Sequence, residues 1–413
     1  MKFFRSHLTL WNACLGNLFE HYDSALFALL SPFIAPLFFP KQDALSALIL
    51  TYAMIPIGML ARPFGSLIFG YIGDAYGRKR ALLLTLMGSG LISGLMAFCP
   101  TYEQTGVLAP ILLCAGKAAQ NFLSAGESMG GAIFLLENAP ESKRDFLSSL
   151  YNASTIGGIL LASLGVSCLC AFKAIDSWRV LYLIGCITAL FGLILRFKFP
   201  KEEVVAKLKT LNPWKVYWQH RSLLLFVAMT AGFSYATYVV AIVLTNGLVP
   251  LVTTLTKAEM ANLNTVLLIV DFLSLPLFGL LAARISNTRL MIGSALVCAL
   301  TALPLFQLLE GANLPMIILL RLSFVLIGVA FSAAFHSWLL QVVPSAHRYT
   351  INSFGYALGS QLFGGPTASI ALWCFQKTHL ISSAAWYWAL LALGAAVAVK
   401  LCPSRSLVKE QIR

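Results

Sequence analysis

Two acidic residues inside an apolar N-terminal stretch are the first positions that could do chemistry. Glu20 and Asp23 stand three residues apart, and this spacing places both side chains on one face of a helix. Two carboxylates this close interact electrostatically, and such a pair suits a group that binds and releases a proton. The sequence leaves open which of the two carries the proton.

Three cations, Arg62, Lys117 and Arg321, also lie inside apolar stretches. A Lys or Arg at the centre of a membrane helix costs on the order of 2.5–3.5 kcal/mol, so it usually faces a cavity or a partner. We predict that all three bind the carboxylate of a small solute. Two alternatives stay open: Arg62 forms a structural pair with a carboxylate of the first helix, and Lys117 and Arg321 extend their side chains to the membrane surface.

Three further residues complete the candidate site. Glu127 lies deeper in its apolar stretch than Lys117, and we predict that it contributes to proton coupling or contacts a substrate ammonium group. Tyr235 and Tyr238 stand in a segment with several other polar side chains and offer hydroxyls and aromatic faces to a polar solute. Packing inside the helix bundle is the alternative role for these aromatic rings.

The composition predicts the environment that positions these residues. Of the 413 residues, 59% are hydrophobic and 11% are charged, whereas a soluble domain has about 25% charged residues. Each membrane-spanning helix needs about 20 mostly apolar residues. We therefore expect an all-α membrane protein with about twelve transmembrane helices in two six-helix bundles.

The remaining composition argues against other classes of protein. The net charge of +13 comes from Lys and Arg that punctuate apolar runs, so we expect no nucleic acid partner. The nine cysteines show no CxxC spacing, and we expect no disulfide, no metal and no cofactor. The first residues are basic and then apolar without a small-residue cleavage site, which predicts a retained first helix and not a signal peptide.

The distribution of Lys and Arg predicts the orientation of the chain. If the N-terminus is cytoplasmic, 21 of them lie in cytoplasmic segments, five in external segments and three within spans. This bias follows the positive-inside rule. We expect both termini in the cytoplasm and an even number of spans.

The chain is internally repeated. Residues 117–144 match residues 321–348, with Lys117 opposite Arg321 and Arg144 opposite Arg348, and a weaker match relates residues 70–80 to residues 279–289. Two related halves are typical of transporters whose substrate site lies between them at mid-membrane. We predict an N-terminal bundle over 1–199, a connecting loop over 200–220 and a C-terminal bundle over 221–413.

A loop between the second and third predicted helices reads Gly70-Tyr-Ile-Gly-Asp-Ala-Tyr-Gly-Arg-Lys-Arg80. It resembles the cytoplasmic signature of the major facilitator superfamily, G-xxx-D-(R/K)-x-G-R-(R/K). The resemblance implies that Asp74, Gly77 and Arg78 belong to a gate. Ala75 stands in place of the usual basic residue, so one bond of that gate is in doubt.

Further stretches resemble the metabolite:proton symporter branch of that superfamily. They are Gly16-Asn-Leu-Phe-Glu-His-Tyr-Asp23, with His21 where the family has tryptophan, Ala61-Arg-Pro-Phe-Gly65, Gly126-Glu-Ser-Met-Gly-Gly-Ala132 with Glu137-Asn-Ala-Pro140, Ser177-Trp-Arg179, and Arg348-Tyr-Thr350 with Phe363-Gly-Gly365. The resemblance implies a secondary transporter that imports a small organic acid, amino acid or zwitterionic osmolyte with protons.

Glu137, Arg144 and Arg348 are also expected at the gate. Glu137 and Arg144 lie at the cytoplasmic end of their predicted span, and a structural role that braces the gate is favoured for these two. The family resemblance implies a multi-pass protein of the bacterial inner membrane. We expect a monomer in the lipid bilayer whose partners are the small-molecule substrate and the proton.

Two other functions compete with proton symport. One is export of drugs or siderophores by the same superfamily, and the other is a membrane-embedded receptor or enzyme. The sequence has no Walker loop, so ATP is not the expected energy source. No pattern of an enzyme site is apparent at either membrane face, and we predict that the protein is not an enzyme.

Overall fold

A computed structural model describes residues 2–40, 60–73, 75–172, 177–197, 213–253, 255 and 257–402. Secondary structure in these ranges is helical throughout, which confirms the all-α prediction. The first six long helices are α1 (Lys2–Phe38), α2 (60–73), α3 (Arg78–Ala97), α4 (Leu108–Glu137), α5 (Arg144–Ala171) and α6 (Trp178–Phe197).

Six more long helices follow a short helix, Pro213–Gln219. They are α7 (Arg221–Tyr238, continued by a π-helical turn Val239–Leu244 and by Thr245–Val252), α8 (Lys257–Ile285), α9 (Asn287–Gln307), α10 (Leu314–Ser332, continued by Phe335–Val342), α11 (Arg348–Leu358, a π-helical turn Gly359–Gly364, then Thr367–Thr378) and α12 (Trp386–Leu401).

Length and apolar composition make seven helices of the described chain able to cross a bilayer. Their ranges are Lys79–Ala97, Glu141–Leu169, Arg221–Leu244, Leu263–Ile285, Asn287–Gln307, Leu314–Val342 and Ile381–Leu401. Trp178–Leu190 is a shorter apolar helix. An apolar helix of this length satisfies its backbone hydrogen bonds internally, which hydrocarbon requires.

The chain forms two compact units. Unit 1 comprises Met1–Asn138 and Ser154–Pro213, and unit 2 comprises Ala139–Ala153 and Trp214–Arg413. The first ten residues of α5 therefore group with unit 2. The predicted bundle boundaries at 199 and 221 differ from this division and remain a prediction.

In unit 1, α1 changes character along its length. Its buried residues recur at helical spacing, with Asn17, Glu20 and Asp23 in one half and Phe27, Leu30 and Ile34 in the other. The apolar half packs into a cluster that includes Met96, Leu113, Val166 and Trp178 from α3 to α6. The buried polar side chains of the other half need hydrogen bonds and ion pairs instead.

The core of unit 2 contains an aromatic group from three helices. Phe306 stacks on Phe324 with ring centres 5.2 Å apart, and Trp388 meets Phe324 edge-on at 5.4 Å. The indole of Trp388 donates a hydrogen bond to Thr237 Oγ1 at 3.1 Å. These contacts join α7, α9, α10 and α12.

The internal repeat is visible as repeated local structure. Pro140 precedes a 3-10 turn that leads into Arg144, and Pro344 precedes an equivalent turn that leads into Arg348. The residue before α3, Gly77, has φ 98° and ψ 140°, and Ser286 before α9 has φ 106° and ψ 132°. Glycine adopts this backbone conformation readily, whereas serine does not.

Candidate functional site

Glu20 is held on both carboxylate oxygens. Oε2 lies 2.7 Å from Nδ1 of His21, and Oε1 lies 3.7 Å from Nη2 of Arg62 on α2. Ser24 Oγ donates to Oε1 at 3.4 Å. With Glu20 only 4% exposed, these contacts compensate a charge that burial would otherwise make costly. The structural pair predicted for Arg62 therefore forms with Glu20.

Asp23 is equally buried, at 3% exposed, but less well satisfied. Its Oδ1 has no hydrogen-bond partner in the described part of the chain. The carboxylate lies against the hydroxyl of Ser93 and near the charge of Lys117. The α6 backbone also approaches it, because a Cβ on Gly185 would collide with Asp23 Oδ1. The Asp23 carboxylate is thus closely packed, and its Oδ1 is buried without a hydrogen bond from any described residue.

Lys117 connects α4 to this cluster. Its Nζ donates to the main-chain carbonyl of Ser24 at 3.1 Å and to Gln120 Oε1 at 3.1 Å. Gln120 Nε2 in turn contacts Ser93 Oγ at 3.3 Å. A polar path therefore runs from Lys117 through Gln120 and Ser93 to Asp23. Lys117 is 4% exposed, so its side chain does not extend to the surface.

Arg321 is the corresponding buried cation of unit 2, with 0% exposure. Its Nη2 donates to the main-chain carbonyl of Ala241, in the π-helical turn of α7, at 3.0 Å, and to Asn264 Oδ1 of α8. Its Nε has no hydrogen-bond partner within the described ranges. Arg321 makes no ion pair with any described acidic residue, so its positive charge is uncompensated there.

Tyr235 and Tyr238 also belong to unit 2. Their ring centres lie 6.3 Å apart on α7, and Tyr238 interacts electrostatically with Asp271 of α8. Both rings are partly buried. They stay candidates for contact with a solute, and no described contact joins them to Arg321.

The predicted gate residues are only partly described. Asp74 lies outside the described residues, as do the side chains of Arg78 and of the coupling candidate Glu127. Gly77 forms the turn before α3, and Glu137 ends α4 half-buried.

The two repeat-related arginines that were predicted at the gate differ in their contacts. Arg144 pairs with Glu141 at 3.1 Å on the surface. Arg348 is buried and donates to the carbonyls of Leu340 at 2.9 Å and Val343 at 3.3 Å. It satisfies carbonyl groups at the end of α10 that lack partners within the helix.

The structure thus brings Glu20, Asp23, Arg62 and Lys117 into one cluster and places Arg321, Tyr235 and Tyr238 in the other unit. Gln120 was missed from sequence, although its position three residues after Lys117 places it on the same helix face. Ser93, Gly185 and Asn264 were also missed. An isolated serine, glycine or asparagine in an apolar helix gives no signal of the residue that it will meet.

Two family models match the chain. The model described as MFS/sugar transport protein matches residues 137–359, and the model described as Sugar (and other) transporter matches residues 9–203. The first match alone covers more than half of the chain.

Curated relatives match nearly the whole chain. The citrate-proton symporter of Klebsiella pneumoniae is 28% identical over 413 residues, covering 96% of this chain and 91% of the relative. A candidate proline/betaine transporter of Staphylococcus aureus (strain COL) is 27% identical over 392 residues, covering 90% and 83%.

Solved structures show the same fold. The proton:xylose symporter XylE bound to 6-bromo-6-deoxy-D-glucose superimposes with a TM-score of 0.73 at 19% identity, covering 98% of this chain and 97% of that one. A bacterial homologue of the iron transporter ferroportin in an outward-facing state gives 0.69 at 13% identity, covering 95% and 98%. At these identities the likeness establishes the fold alone.

Proposed function

Because the chain belongs to the major facilitator superfamily, we propose that the buried cluster of unit 1 couples solute movement to proton movement through Asp23. The protein is a proton-coupled secondary transporter of small substrates and not an enzyme. The resemblance to metabolite:proton symporters is confirmed by its relatives.

The assignment to Asp23 rests on the contrast with Glu20. Glu20 has contacts on both oxygens, two of them with basic side chains, and it therefore acts as a fixed counter-charge. Among the described residues, Asp23 makes no ion pair, and its Oδ1 accepts no hydrogen bond. An ionised carboxylate in such a site is costly, and taking up a proton removes that cost. Movement of Ser93 or Lys117 away from Asp23 would then favour proton uptake.

The solute that we propose is a small organic acid, amino acid or zwitterionic osmolyte, imported by alternating access. Arg321 supports this proposal, since a solute carboxylate would neutralise a buried guanidinium that has no acidic partner in the described chain. Arg also binds carboxylates in a two-pronged geometry that Lys lacks. Arg62, Lys117, Tyr235 and Tyr238 remain proposed solute contacts, with Arg62 also paired to Glu20.

The membrane setting is proposed from the charge distribution and the bacterial relatives. Both termini lie in the cytoplasm, and the protein is a monomer in the bacterial inner membrane without a nucleic acid partner. The residues 1–199 and 221–413 form the two bundles, joined by the loop over 200–220. Glu127 is a second coupling candidate. Asp74, Gly77, Arg78, Glu137, Arg144 and Arg348 form the cytoplasmic gate.

Reconstituted vesicles test this function. The purified chain is placed in liposomes with an acidic exterior, and uptake of radiolabelled proline, glycine betaine, citrate, 2-oxoglutarate and shikimate is measured. At least one solute should accumulate above its external concentration, and a protonophore should abolish the accumulation. Protein-free liposomes are the control.

Two results would contradict symport. Uptake that merely equilibrates and ignores the protonophore would exclude proton coupling. Expulsion of a preloaded solute under the same gradient, with no uptake, would favour the exporter.

A further inference from the structure

The imidazole of His21 has a fixed hydrogen-bonding arrangement. Its Nδ1 lies 2.7 Å from Glu20 Oε2 and 2.9 Å from the main-chain carbonyl of Asn17. A carbonyl oxygen and an ionised carboxylate only accept hydrogen bonds. Nδ1 must therefore carry a hydrogen whether the ring is neutral or charged, and any change in protonation takes place at Nε2.

Nε2 is available for such a change. It has no hydrogen-bond partner in the described chain, and the side chain of His21 is 16% exposed. The residue that supplies the main-chain carbonyl is itself anchored, because the side chain of Asn17 donates to Ser154 at 2.9 Å and to Thr155 at 2.7 Å on α5. Histidine is also the side chain whose ordinary titration range includes neutral pH.

We propose that His21 is a second proton-binding residue of the transport reaction, which takes up the proton at Nε2 while its Nδ1–H stays on Glu20. The inference rests on the proposed symport. The charged group that contacts the ring is Glu20 of α1, and Arg62 of α2 pairs with the other oxygen of that carboxylate. Asp23 of α1 and Lys117 of α4 belong to the same cluster as Glu20, and α5 approaches His21 through Gly158, which carries no charge. Glu20 is the nearest of these charges.

The arrangement gives each group a separate role. A proton from water adds to Nε2, and the resulting imidazolium faces the Glu20 carboxylate, which remains ionised between His21 and Arg62. When the proton leaves Nε2, the neutral ring still donates from Nδ1, so Glu20 keeps its partner. The cluster can then carry one proton on Asp23 and one on His21 for each solute at acidic pH.

Accumulation at equilibrium measures the number of coupled protons. With the membrane potential clamped at zero, each proton contributes about tenfold accumulation per pH unit of gradient. The probe is the solute that wild type accumulates most among proline, glycine betaine, citrate, 2-oxoglutarate and shikimate. For a gradient of one pH unit around about pH 5.5, His21→Gln should accumulate about tenfold less than wild type, because glutamine can donate to Glu20 but cannot titrate.

Two controls separate this role from a structural one. His21→Trp, the residue of the symporter family, should lose the same factor, whereas His379→Asn, at an exposed turn after α11, should match wild type. The wild-type protein provides a test without substitution, since its accumulation per pH unit of gradient should correspond to two coupled protons under the acidic conditions of this assay.

Equal accumulation by His21→Gln and wild type would overturn the inference, as would a one-proton ratio in wild type at every pH. Both results leave the proposed symport intact. If wild type accumulates none of these five solutes under a proton gradient, the proposed function itself fails.

Discussion

The two units bury a cation at repeat-related positions, and among the described residues acids lie near the cation of unit 1 but not near that of unit 2. Lys117 donates to a main-chain carbonyl of α1, at Ser24, and Arg321 donates to a main-chain carbonyl of α7, at Ala241. Helix α1 carries Glu20 and Asp23, whereas the residues from 221 to 252 include no acidic residue. Within the described ranges, the same helical scaffold thus holds a compensated charge cluster in unit 1 and a cation without a counter-ion in unit 2.

This difference suggests a division of labour. A cluster of nearby acids and bases can take up and release a proton without leaving a net buried charge, because neighbouring charges compensate one another. An uncompensated arginine instead favours an anionic ligand that completes its coordination. We therefore expect substitutions in unit 1 to alter proton coupling and substitutions of Arg321 to alter solute binding.

The largest effect is expected where α6 confines Asp23. Gly185→Ala places a Cβ against Asp23 Oδ1 and should displace the carboxylate. We expect the initial rate of proton-driven uptake to fall about 100-fold, the scale of loss when a reacting group is misplaced by about 1 Å. Gly293→Ala is the control, since no atom lies within 4 Å of the added methyl group. A normal uptake rate in Gly185→Ala would show that the position of Asp23 does not matter.

The two cations should respond differently to removal. Lys117→Met should lower the free energy of unfolding by about 2 kcal/mol, because Asp23, Gln120 and the Ser24 carbonyl lose a charged partner. Arg321→Met should leave stability unchanged or raise it, because a buried charge without a counter-ion is removed, and it should abolish solute binding. Thermal unfolding in detergent and the solute-induced thermal shift measure both effects. Equal destabilisation by the two substitutions would break the contrast between the units.

The repeat-related turns at Gly77 and Ser286 should give smaller effects on stability, of opposite sign when the two residue types are exchanged. Ser286 holds a backbone conformation that costs a non-glycine residue on the order of 1–3 kcal/mol. Ser286→Gly should therefore stabilise the protein by about 1 kcal/mol after the larger unfolded-state entropy of glycine is subtracted. Gly77→Ser should destabilise it by a similar amount. If both substitutions change the unfolding midpoint in the same direction, the two turns are not equivalent.

The smallest effect concerns unit 2 alone, at the turn between α10 and α11. Burial, together with the neighbouring His220, lowers the pKa of His347. In the pH window between that lowered value and the ordinary histidine value of about 6.5, the unfolded chain binds more protons than the folded one, so stability should fall as the pH falls. The unfolding midpoint of wild type should decline on acidification more than that of His347→Gln. Parallel pH profiles would refute the effect.

Much of the fold could be predicted from sequence, because the lengths of the apolar stretches and the repeated motifs are properties of continuous segments of the chain. The twelve apolar stretches and the matching Pro–Arg turns at 140–144 and 344–348 are readable along the chain. The shared face of Glu20 and Asp23 follows from helical periodicity in the same way.

The pairing of side chains between helices could not be predicted. Whether Arg62 meets Glu20 or Asp23 depends on how α1, α2 and α4 pack, and the sequence left both open. The confinement of Asp23 Oδ1 results from the approach of α6 at Gly185, more than 160 residues away in the chain. The division of α5 between the two units also results from packing, which hydropathy does not predict.

Proton entry measured with a pH-sensitive dye inside vesicles tests the central claim most directly. Addition of an accumulated solute should acidify vesicles that contain wild type. In a His21→Gln background, which lacks the second proposed proton site, Asp23→Asn should show no solute-dependent acidification and should still exchange internal for external solute. Glu20→Gln should impair exchange as well, because Arg62 and His21 lose their counter-charge. Acidification by the double variant equal to that of His21→Gln alone would contradict the assignment of the proton to Asp23.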